Sequence, residues 1–505
     1  MAWSSDFVAA LSAPSITPKY ILEIVATPIN GQRKIYTDKG SLQIVDANVQ
    51  GTSVTPQRWA VSFGGFSVTL AGDIRDYTRF LRRGCIAILH VHLVGLSDPE
   101  RLAIGQLDTI RGKRGTYTVT FKDILSAFQS RISKTYSGGI SEAKFFYGTN
   151  NTTTVSTEFN PSDTTLYVSA TTNFDKSTAH DGLLYCQPTS GDPFYMRWSA
   201  KAAGEFTVSG TADHPSSASA SVLAVGSLIT NAARIQAVPW ELFGQIITST
   251  GTGNNGDLDV LPESYGSNFP LPQDFFDADD AATTNNYILG SSGATYSCDF
   301  TTFQPFDNGL RSIMDIFAEV GQWPSMRQNS FTWRGCFDPT GRFGYKPTYS
   351  RHIKDTDIIS INTIDFFDPS MKAVYSANNM AYTIAGLTVA KSTTLTNSLP
   401  VAGVMEREFG FYYDSDESPQ AMARGDVDRL AIWDFFHWTK ISLTVSMRFA
   451  VLCAGDFVEL SSVFIVDSYT QEGQTFTRRP AMVLSIGYNL NQRTCIIVLG
   501  FPPQF

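Results

Sequence analysis

The stretch "RLAIGQLDTIRGKRGTYTVTFKD", Arg101 to Asp123, decides the fold, because it has the pattern of two strands joined by a tight turn. In its second half, Tyr117, Val119 and Phe121 fall on one face and threonines lie between them. Such alternation is typical of a half-buried strand, and "GKRG" supplies the glycines that a hairpin turn needs. The stretch therefore predicts an antiparallel hairpin whose Val119 face meets a core.

The flanking sequence extends this β pattern. "KYILEIVAT", "WAVSFGGFSVTL" and "CIAILHVHLVG" predict further strands. Between them, "DIRDYTRFLRRG" places Ile74, Tyr77, Phe80 and Leu81 at helical spacing and stops at Gly84, which predicts a short helix. We expect a small antiparallel barrel or sandwich.

The end of the chain repeats the β character. "KISLTVSMRFAVLCAGDFVELSS" and "RRPAMVLSIGYNLNQRTCIIVLG" predict strands, with "YNLNQRT" as the turn between the last two. Two β units therefore flank the centre of the chain.

The region between these units is mixed. Residues 138 to about 232 are rich in Thr, Ser and Asn, which predicts an inserted β module with exposed loops. Helices are predicted in "VPWELFGQIITSTG", "DNGLRSIMDIFAEVGQW" and "SPQAMARGDVDRLAIWDFF". The fold class expected is β-rich α+β. It has two tube-type antiparallel β-barrels, intervening mixed α/β domains and an inserted β module. The domains expected are 1–137 (first barrel), 138–235 (module), 236–440 (central mixed region) and 441–505 (closing barrel, completed by non-contiguous segments).

Composition limits the function classes. The 505 residues are 43% hydrophobic but only 17% charged, as in many β-rich chains. A net charge of −9 argues against a nucleic-acid-binding surface, although nucleic acid could still pass by without binding. The sequence shows no secretory signal and no window of 18 apolar residues. Six cysteines are scattered singly, and three of them lie in apolar strand-like runs (Cys85, Cys453 and Cys495). The pattern predicts reduced core cysteines for all six, which include Cys186, Cys298 and Cys336.

A glycine motif, GTGNNG from Gly251 to Gly256, matches the dinucleotide-binding pattern by letters alone. That fold needs a strand before the glycines and a helix after them, since the helix N-terminus holds the pyrophosphate. Here the helix pattern comes before the glycines, and Pro262 follows soon after. We predict a left-handed helix cap at Gly251 and no cofactor.

His90 and His92 lie two apart on one predicted strand and could form part of a zinc site. A zinc site needs a third ligand, and none of the other histidines lies in a companion motif. The favoured interpretation is two polar positions on the outer face of a barrel strand.

Two acidic clusters, Asp274–Asp280 and Asp414–Glu417, lack the spacing of a calcium loop. The first is interpreted as a solvated loop. The second lies at a helix start capped by Ser418, where carboxylates are favoured. The sequence does not decide whether either cluster binds an ion. No hydrolase signature is present, although paired carboxylates are recognised by distance and not by spacing. No catalytic, cofactor-binding or metal-binding residue is assigned.

Four stretches occur together in one order: "AIGQLDTIRGKRGTYTVTFKDILSAF", "TSTGTGNNGDLDVLPESYG", "DNGLRSIMDIFAEVGQWPSMRQNSFTWR" and "LCAGDFVELSS … PAMVLSIGYNLNQRTCIIVLG". With these stretches the chain resembles the central tail-hub proteins (baseplate hubs or tail-tip hubs) of tailed bacteriophages and gene transfer agents. The resemblance covers most of the chain beyond residue 60. The resemblance rests on the order of the four stretches, because no single stretch is a strict signature of the family.

The resemblance implies a structural virion protein of the tail tip or baseplate, made in the host bacterial cytoplasm. It implies a homotrimer whose six barrels match a six-fold tail tube. The expected partners are the distal tail protein ring, the tape measure protein, and tail-tip or fibre proteins. DNA would pass through the channel without specific binding.

The chain ends at "GFPPQF", soon after the last predicted strand, whereas many hubs carry an added hydrolase or fibre extension. We therefore expect a hub without enzymatic activity. The alternative is a phage-associated glycan depolymerase or cell-wall hydrolase, with Asp274 or Asp277 among its carboxylates.

Overall fold

Strands dominate the computed structural model, which confirms the β-rich prediction. The residues it describes are 3–13, 15–26, 33–55, 60–78, 80–81, 85–113, 115–124, 151–172, 174, 182–212, 220–237, 240, 243–244, 247, 276–289, 298–302, 322–328, 330–335, 351–365, 377–384, 387–396, 404–409, 439–466 and 475–501. Within these residues, no helix has the length and apolar character needed to cross a lipid bilayer.

The first β unit is a closed ring of strands. Its elements are α1 (Ser5–Leu11), β1 (Pro18–Ala26), β2 (Arg33–Tyr36), β3 (Leu42–Thr55), β4 (Ala60–Ser62), β5 (Phe66–Gly72), β6 (Ile86–Leu93), β7 (Glu100–Lys113) and β8 (Thr116–Asp123). The ring runs β3-β2-β1-β6-β7-β8-β5, and β5 pairs back to β3. Closure covers strand edges that would otherwise stay unpaired.

The predicted hairpin is confirmed as β7 and β8. Lys113 pairs with Thr116 across the turn, where Gly115 has a positive φ of 80°. Val119 and Phe121 are buried, and the Phe121 ring stacks on Phe66 with centroids 4.4 Å apart. The apolar face of β8 therefore points into the ring, as the alternation in the sequence predicted.

The helix predicted over 74–84 was wrong in extent. Among the described residues of this segment (73–78 and 80–81), the one helical element is a 3-10 turn at Arg75–Tyr77. The Asp73 carboxylate accepts a 3.0 Å hydrogen bond from the Arg75 backbone N–H, a local turn contact that competes with a longer helix. Phe80 and Leu81 are nevertheless buried, as their apolar character requires.

"WAVSFGGFSVTL" forms β4 and β5, with Gly64 and Gly65 between them. A Cβ at Gly65 would lie 1.8 Å from the carbonyl oxygen of Phe121, and one at Gly64 would lie 2.3 Å from that of Gln50. The backbone passes too close to its neighbours for any side chain, which explains the two glycines.

The Thr- and Ser-rich region forms a second, smaller ring. Its strands are β9 (Thr152–Thr154), β10 (Thr165–Tyr167), β11 (Gly182–Gln187), β12 (Phe194–Ala202), β13 (Glu205–Ala212) and β14 (Leu228–Ala237). They pair in the order β10-β13-β12-β11-β14-β9, and a bridge between Val155 and Val168 closes the ring. Trp198 and Phe206 lie in its buried core.

The central region contains α2 (Ala278–Leu289) and several strands. These are β15 (Cys298–Thr302), β16 (Gln322–Arg327), β17 (Ser330–Gly335), β20 (Ala377–Ile384), β21 (Leu387–Thr396) and β22 (Val404–Phe409). The C-terminal half of β14 leaves the small ring and pairs with β15, since Ala233 lies opposite Thr302. β16 and β17 form an antiparallel hairpin, and β20 to β22 form a separate sheet.

The second β unit is an open half-barrel, and its described strands do not close into a ring. Its strands are β18 (Arg351–Lys354), β19 (Ile358–Asp365), β23 (Thr439–Ser446), β24 (Phe457–Val466), β25 (Thr475–Asn489) and β26 (Thr494–Phe501). They pair in the order β19-β23-β26-β25-β24-β18. The turn predicted at "YNLNQRT" is confirmed between β25 and β26.

The two β units share one sheet. β25 pairs with β3, with Gly487 opposite Gln50 and Tyr488 opposite Val49. Buried residues of both units, such as Leu70 and Leu443, belong to one continuous apolar core. Four cysteines in the described part of the chain (Cys85, Cys186, Cys453 and Cys495) are free thiols in buried positions, as expected.

Candidate functional site

The β16–β17 hairpin lies where the two β units meet. On one side, the Met326 backbone N–H donates a 3.0 Å hydrogen bond to Thr52 Oγ1 of β3. On the other side, Ser325 Oγ donates at 2.9 Å to the carbonyl oxygen of Ala454, just before β24. The hairpin therefore contacts both units through groups that are partly or wholly buried.

Arg334 of β17 is the centre of a buried ionic network. Its Nε donates to Asp456 Oδ1 at 3.0 Å, and its Nη1 donates to Asp280 Oδ2 at 2.7 Å. Asp280 also accepts from Arg327 Nη1 at 2.5 Å and from Thr332 Oγ1 at 2.6 Å. The network links the first turn of α2, the hairpin and the second β unit.

The backbone around Asp456 is shaped for this contact. Asp456 Oδ2 accepts a 2.9 Å hydrogen bond from the Cys453 N–H, which fixes the carboxylate beside Arg334. Gly455 has a positive φ of 98°, and a Cβ there would lie 2.7 Å from the Arg334 Cβ. The turn needs glycine for both its conformation and the close approach of Arg334.

Opposite charges balance in this network. Burial acts to raise the pKa of the Asp280 carboxyl, but the charges of Arg334 and Arg327 outweigh burial and lower that pKa below its usual value. Two carboxylates therefore face two guanidinium groups, and each described group has a charged partner. The arrangement fixes the relative position of three elements.

The N-terminal segment also joins several elements at this junction. The Trp3 indole donates a 2.9 Å hydrogen bond to the carbonyl oxygen of Arg101, and the Trp3 backbone N–H donates at 2.7 Å to Gln328. Its ring packs edge-on against Tyr488 of β25, with centroids 5.9 Å apart. Trp3 thus contacts the first unit, the hairpin and the second unit together.

A polar cluster lies along the β3–β25 seam. Asn489 is buried, and its Nδ2 donates to Asn48 Oδ1 at 2.5 Å and to the Asp46 carboxylate at 3.3 Å. Asn491 Nδ2 donates to Asp46 Oδ1 at 2.8 Å. These side chains hold the β25–β26 turn against the first β unit.

The histidine pair lies on the outward side of β6, on either side of the buried Val91. His90 Nε2 is 3.3 Å from Glu23 Oε2, and His92 Nε2 is 2.7 Å from the carbonyl oxygen of Leu96. Burial lowers the pKa of His90, against the opposing effect of Glu23. Among the described residues, no group of three or more His, Cys, Asp or Glu side chains is placed to hold a metal ion.

The first acidic cluster differs from the solvated loop that the sequence predicted. Asp277 accepts a 3.0 Å hydrogen bond from the Asp280 N–H at the start of α2, and Asp280 is held by two arginines. An acidic residue at a helix start has unsatisfied N–H groups beside it, which explains the role of Asp277. Asp274 lies outside the described residues, as do Asp414–Glu417 and Gly251–Gly256.

Sequence reasoning missed Arg334 and Asp456. The available signal was a charged residue inside each of two apolar runs, "FTWRGC" and "LCAGDFVEL". A buried charge needs a partner, so each such residue predicts an opposite charge elsewhere in the chain. The two residues are 122 positions apart in sequence, so spacing alone could not pair them.

No protein-family model matches the sequence, and no curated protein matches it. Among solved structures, a 43 kDa tail protein of prophage MuSo2 from Shewanella oneidensis aligns over 96% of this chain and 98% of that chain, at 10% identity and a TM-score of 0.37. A tail protein from Neisseria meningitidis MC58 aligns over 96% of each chain, at 8% identity and a TM-score of 0.37. A chain from the virion of a native gene transfer agent aligns over 45% of this chain and 84% of that one, at 14% identity and a TM-score of 0.18. The chain is thus similar to tail proteins and to a virion component, at a level that assigns it no family.

Proposed function

We propose that this chain is a structural virion protein: a trimeric hub at the tail tip or baseplate. It would join the distal tail ring and the tape measure protein to the tail tip or fibres and form part of the DNA channel. The ordered sequence stretches that resemble tail hubs support this proposal, and so does the pairing of two β units within one chain.

The observation that carries the proposal is the seam between the two β units. Strand pairing joins Tyr488 to Val49, and the Arg334 network ties the central hairpin and α2 to the second unit. Two β units that must occupy neighbouring positions in one ring need a fixed spacing, and a hydrogen-bonded seam supplies it. Three copies would place six such units around an axis.

The charge balance suits a conduit for DNA. A net charge of −9 repels the phosphate backbone, so DNA could slide past without being retained. A hub whose channel carried a basic surface would bind the genome and slow its exit. The proposal therefore includes passage of DNA with no specific DNA contact.

The competing function is a hydrolase, for which Asp274 and Asp277 are the candidate catalytic carboxylates. The Asp277 side chain already accepts the Asp280 N–H at a helix start, which is a structural task. Turnover of peptidoglycan or host capsule by the purified chain, abolished by Asp277→Asn, would favour the hydrolase. We expect no turnover with either the wild-type chain or the variant.

The inserted β module at about 138–232, whose described strands form the small β ring, is proposed as an outward, phage-specific module. Its two ends are adjacent, because the Asn231 N–H donates a 2.8 Å hydrogen bond to the Asn151 carbonyl oxygen. A short glycine linker from Asn151 to Asn231 would excise the ring and keep the β14–β15 pairing. The excised chain should still assemble; loss of assembly would place the module in the core of the complex instead.

The test of the proposed location is a cryo-EM map of the intact particle. The expected map shows the two β units of this chain around the tail axis, next to the last tube ring. A chain found only in peripheral fibres, or absent from the particle, would overturn the proposal.

A further inference from the structure

The N-terminal segment of residues 3–13, here called the strap, lies across the junction of the two β units. Its apolar stripe consists of Trp3, Phe7 and Leu11, which recur every four residues and are all buried in the core that both units share. Asp6, on the other side of α1, is exposed. Residues 3–13 form no strand, so the strap is held by side-chain packing and not by a strand ladder.

The two ends of the strap are tied to different β units. At its start, the Ser4 backbone N–H donates a 2.9 Å hydrogen bond to Glu100 Oε1 of β7, in the first unit. At its end, Arg493 Nη2 in the β25–β26 turn of the second unit donates at 2.8 Å to the Ala13 carbonyl oxygen. Between these points, α1 packs against the 3-10 turn Met447–Phe449 that follows β23. The strap therefore precedes the first unit in sequence but spans both units.

The seam beside the strap is short. Among the described residues, β3 and β25 pair at three positions, with a shift in register between Ser485 and Gly487. Such a shift disrupts a strand ladder locally. Tyr488, the paired residue next to the shift, is also the residue against which the Trp3 ring packs edge-on. The strap therefore covers the seam next to the point where its ladder is interrupted.

We propose that the strap is a releasable lock on the seam. While it is docked, the two β units keep their present pairing; when it detaches, the β3–β25 pairing opens and each unit stays folded. A helix of 7 residues does not persist alone in water, so α1 forms as the strap docks and unwinds as it leaves. Because the strap contributes no strand, its release breaks no ladder inside either unit. The inference goes beyond the proposed function, since it concerns contacts within one chain.

The experiment compares hydrogen exchange of the full-length chain with that of Trp3→Ala and Trp3→Phe. The seam is followed at the Gly487 and Tyr488 amides. The Val119 amide of β8 and the Ile497 amide of β26 serve as references inside each β unit. Because Trp3→Ala removes a buried ring, we expect exchange at the seam to accelerate roughly 100-fold while the reference amides stay unchanged. Trp3→Phe keeps a ring beside Tyr488 and loses the indole hydrogen bond, so its acceleration should be smaller.

Phe174→Ala is the matched control, because it removes a buried ring that packs against Phe206 inside the small β ring. It should leave the seam amides unchanged. Acceleration of the seam by Phe174→Ala as large as that by Trp3→Ala would show that loss of any buried ring opens the seam, and the inference would fail.

The location of the faster exchange decides the role of the strap. Acceleration at the seam with unchanged references supports the lock. If the seam and the references accelerate together, the strap is an ordinary part of the core, and if the seam does not accelerate, strand pairing holds it without the strap; either result overturns the inference. If Trp3→Ala does not fold, the same comparison of seam and references in Trp3→Phe decides. The hub proposal is tested separately, by assembly of the chain.

Discussion

The guanidinium of Arg334 donates a 3.0 Å hydrogen bond from Nε to the Asp456 carboxylate, and both side chains are buried. This contact ties the central hairpin to the second β unit. Removing Asp456 would leave the buried Arg334 guanidinium with Asp280 as its bonded carboxylate, so the buried positive charge would be compensated only in part.

Asp456→Ala should therefore lower the free energy of unfolding by about 3 kcal/mol, because Arg334 stays buried, keeps Asp280 and loses this partner. The measurement is the first transition in chemical denaturation, since a chain of several units need not unfold in one step. Arg75→Ala is the control: its ion pair with Asp73 is on the surface, and the transition should not move. An Asp456→Ala transition that overlays the wild type would contradict the role given to Arg334.

Asn489→Ala tests the polar seam between the β units. The change removes the amide shared by Asn48 and Asp46, and we expect a loss of about 1–3 kcal/mol, as for a buried hydrogen-bonding group. Asn362→Ala is the matched control, because Asn362 Oδ1 accepts a hydrogen bond from Thr444 Oγ1 on an exposed strand face. Hydrogen exchange of the Gly487 and Tyr488 amides should accelerate only in Asn489→Ala. Equal protection in both variants would show that strand pairing alone holds the seam.

Gly65→Ala should destabilise the first β unit by roughly 1–3 kcal/mol, because its methyl group would overlap the Phe121 carbonyl and force the backbone to shift. Gly487→Ala provides the comparison: its nearest atom would be 3.3 Å away. Thermal unfolding of the two variants should differ, with the larger drop in midpoint for Gly65→Ala. The reverse order would contradict the close packing of β5 on β8.

His90 gives a pH prediction with a definite sign. Burial lowers its pKa below the ordinary 6.5 in the folded chain. As pH falls below 6.5, the unfolded chain binds the proton first, so this residue reduces stability progressively down to its folded pKa. An NMR titration should place the His90 pKa below 6.5 in the wild type and lower still in Glu23→Gln, which removes a charge that raises it. A value at or above 6.5 in the wild type would contradict this.

Local patterns predicted the β7–β8 hairpin and the β25–β26 turn, because alternation and turn residues lie within a few positions of each other. The helix predicted over 74–84 was wrong in extent among the described residues, because helical spacing alone does not report the turn contact between Asp73 and Arg75 or the burial of Phe80. The seam between Val49 and Tyr488 joins distant parts of the chain, so local hydrophobic periodicity could not predict it. Asp277 was identified as part of an acidic cluster, but its capping role depends on where α2 begins.

Three copies of the chain are proposed to form a ring around a channel. Cryo-EM class averages of the purified full-length chain, together with the measured particle mass, test this arrangement. We expect a three-fold ring with an axial opening and a mass three times the 55.4 kDa of one chain. A stable monomer at high concentration, or a closed particle without three-fold symmetry, would contradict it.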